Sequence, residues 1–113
     1  MRLLLIVALA ALAAAKPEVK AVEGEVVDLT CYIAHDAKGP KHAKCGKECA
    51  LRGNPIGLLA DAQLYVLVEN HGKPEVFGKL REKVGERVRV EGAVHRKAGI
   101  QALTATSATK AAD

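Results

Sequence analysis

The chain has 113 residues, a formal net charge of +4 and an apolar content of 50%. Its first fifteen residues are apolar except for Arg2, so the rest of the chain holds enough apolar side chains for only one small core. This size excludes a two-domain enzyme, a TIM barrel and a doubly wound nucleotide-binding domain. Three cysteines are too few for a disulfide-dense miniprotein.

The N-terminal segment, residues 1–15, has the pattern of a secretory signal peptide. One positive residue precedes an apolar stretch of about a dozen residues, and Ala13 to Ala15 supply the small side chains that a signal peptidase requires. We expect cleavage after Ala15 and a periplasmic or secreted protein, in a compartment where disulfides are permitted. The alternative is a retained membrane anchor, but the run is shorter than a spanning helix and ends in small residues. We expect no membrane span after cleavage.

The charge of the expected mature chain is only weakly positive. Loss of Arg2 leaves 16 basic and 13 acidic residues, a net charge of +3. A nucleic-acid reader of this size normally shows a stronger and more clustered excess, which disfavours nucleic acid as a partner. One stretch around two of the cysteines is locally basic, and it is either a solvated face or a set of charges that favours thiolate over thiol. Its members are Lys38, Lys41, Lys44 and Lys47.

The first half of the expected mature chain combines a strand with a short helical insert. Because apolar residues alternate in the strand, Leu29 and Cys31 fall on its core side. Gly46 lowers the helical propensity of the insert, which stops at Gly53. The predicted elements, in chain order, are a polar linker at 16–23, a half-buried strand at 24–33, a loop at 34–41 and a helix at 42–52.

The second half contains two further pairs of strands separated by a helix. The two-residue connection at 61–62 suits a hairpin. Ile100 and Leu103 have opposite parity, which demands a bulge or one fully buried section in the last strand. The predicted elements are strands at 56–60 and 63–69, a turn at 70–74, a helix from Val76 to Val84 with Gly85 as its C-cap, strands at 86–95 and 100–107, and a flexible tail at 108–113. In the strand at 86–95, the inward positions are Val88, Val90, Gly92 and Val94.

This order of elements predicts a mainly β fold, a small five-stranded OB-like barrel spanning residues 24–107. Five short strands with a helix between strands 3 and 4 are typical of that fold, and here a Cys/His-bearing helical insert also follows strand 1. Gly57 and Gly92 fit the tight bends of a small barrel. A ferredoxin-like sheet is the rival, but the insert is too short, Lys-rich and Gly-interrupted for a helix that must cover a sheet face.

One cluster of residues carries chemistry. His42, Cys45 and Cys49 lie three and four residues apart, so a helix places them on one face, and Cys31 on the preceding strand can approach that face. Three thiolates and one imidazole are a standard tetrahedral ligand set for zinc, and soft ligands also suit Cu(I). We therefore expect one transition-metal ion, Zn or Cu(I), on Cys31, His42, Cys45 and Cys49, with His35 as a possible additional ligand.

Two other roles for the cysteines stay open. In an exported protein, Cys31 can form a structural disulfide with Cys45 or Cys49, whereas Cys45 and Cys49 within one helix point poorly for a bridge. Such a bridge would contribute about 3 kcal/mol in the chain-entropy model. A redox-active thiol is the second alternative. The odd number of cysteines favours the metal.

Catalysis and haem binding are disfavoured. The spacing Cys45-x3-Cys49 is followed by alanine, where haem attachment needs Cys-x2-Cys-His. A small chain without an oxyanion-hole signature or paired carboxylates offers little for a cysteine protease or for acid–base work. His71 and His95 are isolated and are expected at the surface. We therefore expect a protein that is not an enzyme, either a metal binder or a ligand- or protein-binding OB-like domain with a structural disulfide.

Three segments carry a resemblance. Residues 24–32 (GEVVDLTCY), 39–49 (GPKHAKCGKEC) and 53–59 (GNPIGLL) resemble a group of small exported bacterial OB-fold-like proteins of unassigned function. The shared pattern is Cys-Tyr, then His-x2-Cys-x3-Cys, then Pro-x-Gly-Leu-Leu. The resemblance extends over residues 24 to 107 and implies the fold and the export, but no activity.

Overall fold

Five strands and three α-helices make up most of residues 16–112, the part of the chain that the computed structural model describes. The expected signal peptide, residues 1–15, lies outside the described residues. Among the described helices, none combines the length and apolar character needed to cross a bilayer. The elements are β1 (Glu18–Asp28), α1 (Leu29–His35), a 3-10 helix (Pro40–His42), α2 (Ala43–Leu51), β2 (Ile56–Ala60), β3 (Gln63–Val68), α3 (Pro74–Arg81), β4 (Arg87–Lys97) and β5 (Ile100–Lys110).

The five strands form one sheet that closes on itself in the order β1-β2-β3-β5-β4. Closure depends on the length of β1, whose first part pairs with β4 and whose last four residues pair with β2. All the pairs are antiparallel except β3 with β5. At this level the prediction is confirmed: the fold is mainly β, with five strands in a closed sheet and helices between them.

The inner face of the sheet carries the core, and β4 shows its pattern most clearly. Val88, Val90 and Val94 are at most 4% exposed, while Arg87 and Arg89 are exposed, as the alternation predicts. The inward position between Val90 and Val94 is Gly92, where a Cβ atom would collide with the carbonyl group of Thr104. That glycine therefore allows β4 and β5 to approach each other closely, which agrees with its predicted place at a tight bend.

The start of the fold differs from the prediction. β1 includes residues 18–23, which were expected to be linker, because the eleven-residue β4 offers them a pairing partner. β1 then ends at Asp28, where the predicted strand continued to residue 33. The Asp28 side chain caps α1 by accepting hydrogen bonds from the backbone N–H groups of Thr30 and Cys31. Cys31 therefore lies on a helix, and the prediction of a core-facing strand position for it is wrong.

The last strand also differs. β5 continues to Lys110, so residues 108–110 of the predicted tail at 108–113 belong to a strand, and Ala111 is only 8% exposed. The predicted irregularity exists, but it lies at Thr106, the extra residue between the β5 partners of Glu91 and Gly92. Ile100 is 55% exposed and Leu103 is buried, so these two residues of opposite parity lie on opposite faces of β5.

The helix after β3 is shorter than predicted. α3 ends at Arg81, and Val84, expected in its last turn, instead forms an isolated bridge with Val26 of β1. Gly85 follows with a positive φ of 87°, so it turns the chain after α3 without being the direct cap. The other predicted elements, including the hairpin of β2 and β3 and the helix of the insert, are present.

Candidate metal centre

Three ligand-type side chains meet where β1, α1 and α2 come together. One ligand atom each from Asp28, Cys31 and Cys49 lies within 4.8 Å of the other two. Asp28 is the last residue of β1, Cys31 lies in the first turn of α1, and Cys49 lies in the last turn of α2. One carboxylate and two sulfurs at this separation are close enough together to hold a metal ion.

Asp28 is the most buried member of the cluster. Its side chain is 0% exposed, and its two oxygens accept hydrogen bonds of 3.2 Å from the N–H of Thr30 and 3.3 Å from the N–H of Cys31. A buried carboxylate is costly unless it is paired and hydrogen-bonded. The N-cap contacts meet part of this requirement, because the N-terminus of a helix carries partial positive charge.

Cys31 is half-buried beside this carboxylate. A hydrogen bond from its thiol to Asp28, desolvation, and the nearby negative charges of Asp28, Cys49 and Cys45 raise the pKa of Cys31 to about 11. In the metal-free protein the thiol therefore keeps its proton at neutral pH. A cation placed among these groups would reverse that electrostatic effect, since a coordinated thiol is deprotonated.

Cys49 is buried at 9% exposure and receives a hydrogen bond from the guanidinium of Arg52. The Nη2 atom of Arg52 lies 3.3 Å from the Cys49 sulfur. A positive charge at this distance would offset part of the negative charge that two thiolates and a carboxylate bring to one ion. Arg52 is therefore a supporting residue of the centre.

Gly46 brings α2 close enough for Cys49 to reach the cluster. A Cβ atom on Gly46 would lie 2.6 Å from Cγ1 of Val84 and 3.6 Å from Cβ of Asp28. A side chain at this position would therefore push α2 away from the end of β1. Gly46 has a low helix propensity, but its lack of a side chain allows α2 to pack against the end of β1.

His42, a predicted ligand, lies next to the cluster on its carboxylate side. Its Nε2 atom is 3.9 Å from Oδ2 of Asp28, and this nitrogen is buried without a hydrogen-bond partner among the described residues. The loop that precedes it is held to β1, because the N–H of Gly39 donates a 2.7 Å hydrogen bond to Glu25. A buried ring nitrogen without a partner is a potential fourth ligand.

Cys45 and His35, the other two candidates, are both exposed. Cys45 lies one helical turn before Cys49, and desolvation together with the charge of Cys49 and a hydrogen bond to it raises the pKa of Cys45. Its thiol is therefore adjacent to the cluster but outside the group of three. His35 is the last residue of α1, and it is not a member of the group of three found among the described residues.

None of the three cysteines, all of which lie in the described part of the chain, forms a disulfide. The sulfurs of Cys31 and Cys49 are within 4.8 Å of each other, whereas a disulfide bond is about 2 Å long. The pairing of Cys31 with Cys49, one of the two that the disulfide alternative allows, is therefore close in space but unformed.

Of the four lysines in the predicted basic stretch, two form ion pairs and two do not. Lys38 pairs with Asp36 at 3.9 Å and Lys47 pairs with Glu86 at 3.4 Å. Lys41 and Lys44 are exposed and form no ion pair with other described residues. Two unpaired positive charges therefore lie just before the exposed Cys45.

Asp28 and Arg52 are the members of the site that the sequence pattern did not reveal. In the predicted strand at 24–33, Asp28 falls on the face opposite Leu29 and Cys31, although an aspartate at this position can also cap a helix. The three-residue spacing between Cys49 and Arg52 is the other available signal, because it places both on one helix face.

No protein-family model, curated protein or solved structure matches this chain.

Proposed function

We propose that this chain is an exported OB-like protein that binds one transition-metal ion through Asp28, Cys31 and Cys49, with His42 as the fourth ligand, and that it is not an enzyme. The observation that carries the proposal is the meeting of a fully buried carboxylate and two thiols within 4.8 Å. Carriage, sensing or structural stabilisation are the roles that fit a metal held in such a small domain.

A bound ion would supply a partner for a buried polar atom that has none in the protein alone. Capping of α1 accounts for the position of Asp28, but it does not account for the buried, unpartnered Nε2 atom of His42 only 3.9 Å away. Buried polar atoms are normally hydrogen-bonded or bound to a metal. A cation shared by the carboxylate, the imidazole and the thiolates would give each of them a partner.

Zn(II) is favoured over Cu(I) by the chemistry of this ligand set. Zinc accepts sulfur, nitrogen and carboxylate oxygen in a tetrahedral site, whereas a carboxylate is a poor ligand for soft Cu(I). Cu(I) would instead select the sulfurs, which here means Cys31, Cys49 and Cys45. The choice of metal therefore determines whether Asp28 or Cys45 acts as a ligand.

The strand order supports the OB-like part of the proposal. A closed sheet in the order β1-β2-β3-β5-β4 with α3 between β3 and β4 agrees with a five-stranded Greek-key barrel of that type. Export is supported by the composition of residues 1–15. N-terminal sequencing of the protein from its host tests the export, and a mature chain that begins near Lys16 is expected.

Mass spectrometry tests the metal. The reduced protein, mixed with one equivalent of Zn(II) and measured under native conditions, should gain the mass of one zinc ion, and the gain should disappear under denaturing conditions. Cys49→Ser should abolish the gain, while the exposed control His95→Ala should retain it. Wild-type protein that never gains zinc and whose mass rises by two hydrogens on reduction would instead support the disulfide-containing binding domain.

A further inference from the structure

The exposed face of α2 presents a sulfur that the group of three ligands does not use. Cys45 is exposed, whereas Cys49, one turn later on the same helix, is buried. Cys49 in turn lies within 4.8 Å of Cys31 and of the fully buried Asp28. The sulfurs of Cys45 and Cys49 therefore lead from the protein surface to the buried carboxylate, and Cys31 is half-buried beside them.

Two positive side chains precede Cys45 on the chain, and the carboxylate-bearing Glu48 follows it on the same helix. Lys41 and Lys44, which lie four and one residues before it, are exposed and make no ion pair within residues 16–112. Arg52 is close to the neighbouring sulfur, because its Nη2 atom lies 3.3 Å from Sγ of Cys49. A metal complex with several thiolate ligands carries net negative charge, and positive charges at a site entrance raise the association rate of such an anion.

We infer that Cys45 is the entry ligand of the metal centre, which receives the ion from an anionic thiolate complex and passes it to Cys49, Cys31 and Asp28. The inference rests on the proposed function, and it adds a kinetic role for one residue and a chemical class for the donor. Cys45 then determines how fast the ion arrives, while the buried ligands determine how tightly it is held.

The transfer is a series of ligand exchanges without a change of oxidation state. In the first exchange, the bond between zinc and a donor sulfur breaks, a bond between zinc and the Cys45 sulfur forms, and the Cys45 proton passes to the departing donor thiolate. In the second, the Cys49 sulfur binds the same ion as another donor thiolate leaves with the proton of Cys49. In the third, the Cys31 sulfur binds the ion, the bond between zinc and the Cys45 sulfur breaks, and the Cys31 proton passes to Cys45. Because the ion is always bound to at least one sulfur, it need not be released into water as a free ion.

Stopped-flow transfer of Zn(II) from a dithiothreitol complex tests the inference. We expect Cys45→Ser to slow this transfer about tenfold or more, because a hydroxyl is a poor substitute for a thiolate ligand. Its equilibrium affinity, measured against a chromophoric chelator, should stay within about threefold of wild type, well below the loss of 10-fold or more typical of a disturbed metal site. Leu51→Ala, at an exposed and uncharged position on α2, is the matched control and should change neither quantity.

A separate variant tests whether the positive charges before Cys45 speed the transfer. A double substitution of Lys41 and Lys44 by Gln should slow transfer from the anionic donor and reduce its dependence on salt, with the affinity unchanged. If Cys45→Ser transfers zinc at the wild-type rate, or loses as much affinity as Cys49→Ser, the entry role is wrong while the metal site stands. If the wild-type protein binds no zinc at all, the proposed function fails and the inference fails with it.

Discussion

The Nε2 atom of His42 lies 3.9 Å from the Oδ2 atom of Asp28. Two ligands of one tetrahedral zinc ion, each about 2.1 Å from the metal, lie about 3.4 Å apart. The observed separation is too long for a hydrogen bond and longer than this ligand spacing, and His42 lies outside the group of three whose ligand atoms are within 4.8 Å of one another. If both atoms bind the same zinc ion, the distance between them should therefore shorten.

Substitution of Asp28 separates its structural role from its role as a ligand. Asp28→Asn should keep the cap of α1, because asparagine caps helices as well as aspartate, but it should weaken zinc binding by at least about tenfold. Asp28→Ala should weaken binding and also lower the free energy of unfolding of the metal-free protein by about 1 kcal/mol. Competition with a chelator and chemical denaturation measure the two effects. Unchanged zinc affinity in Asp28→Asn would remove Asp28 from the ligand set.

The two histidines of the insert should behave differently. His42→Ala should reduce zinc affinity, although less than Cys49→Ser if water occupies the fourth position of the metal. His35→Ala should leave the affinity unchanged, since His35 is exposed at the end of α1. Isothermal titration of both variants checks the difference, and equal losses would mean that the insert rearranges when it binds metal.

Protons should compete with the metal. Both cysteines must lose their protons to act as ligands, and the pKa of Cys31 is raised to about 11. Zinc affinity should therefore fall as the pH is lowered, with protons released on binding. Calorimetry in two buffers of different ionisation enthalpy counts those protons, and a pH-independent affinity without proton release would contradict binding by thiolates.

The same thiol should affect alkaline stability in the metal-free protein. Its pKa is raised from 9.0 to about 11 in the folded state, so the folded protein holds this proton more tightly than the unfolded chain does. The stabilisation is fully present below pH 9.0 and is lost as the pH rises towards about 11. Thermal unfolding of wild type and Cys31→Ser across this range isolates the effect, because other groups titrate equally in both. Parallel curves would show that the thiol and Asp28 do not interact in solution.

A pair of substitutions in β4 tests the closed sheet. Val88→Asp should destabilise the domain by several kcal/mol, because it buries an unpaired carboxylate at a position only 4% exposed. Arg89→Asp, one residue later, removes a surface ion pair with Glu91 and should cost about 1 kcal/mol or less. Urea denaturation compares the two, and similar losses at both positions would contradict the inward and outward faces of this strand.

The sequence pattern predicted most of the sheet but only part of the site. Alternation in β4 is clear because charged and apolar residues alternate from Arg87 to Glu91, and the short connection between β2 and β3 permits little besides a hairpin. The segment after Asp28 is different, because its alternating apolar residues suit a strand while Asp28 itself can cap a helix. Local pattern favours the strand, but the hydrogen bonds of the cap determine the observed structure.

The observed cluster therefore differs from the predicted one, because Cys31 lies on a helix instead of a strand and Cys45 lies outside the group of three. Cys31 and Cys49 do meet, but through two helices, and a carboxylate occupies the place expected for the Cys45 sulfur. The position of Asp28 depends on where β1 ends, and the close approach of α2 depends on Gly46 and Val84. These are contacts between distant parts of the chain, which periodicity within one segment does not report.

The placement of Cys31 and Cys49 on separate helices gives a bound ion a mechanical role. The 17 residues between them include the irregular segment from Asp36 to Gly39 and the 3-10 helix Pro40–His42. An ion held at both ends would cross-link this segment into a closed loop and reduce the freedom of the unfolded chain, as a disulfide does. Amide hydrogen exchange and proteolysis in this loop should then slow when zinc is added and recover when it is chelated.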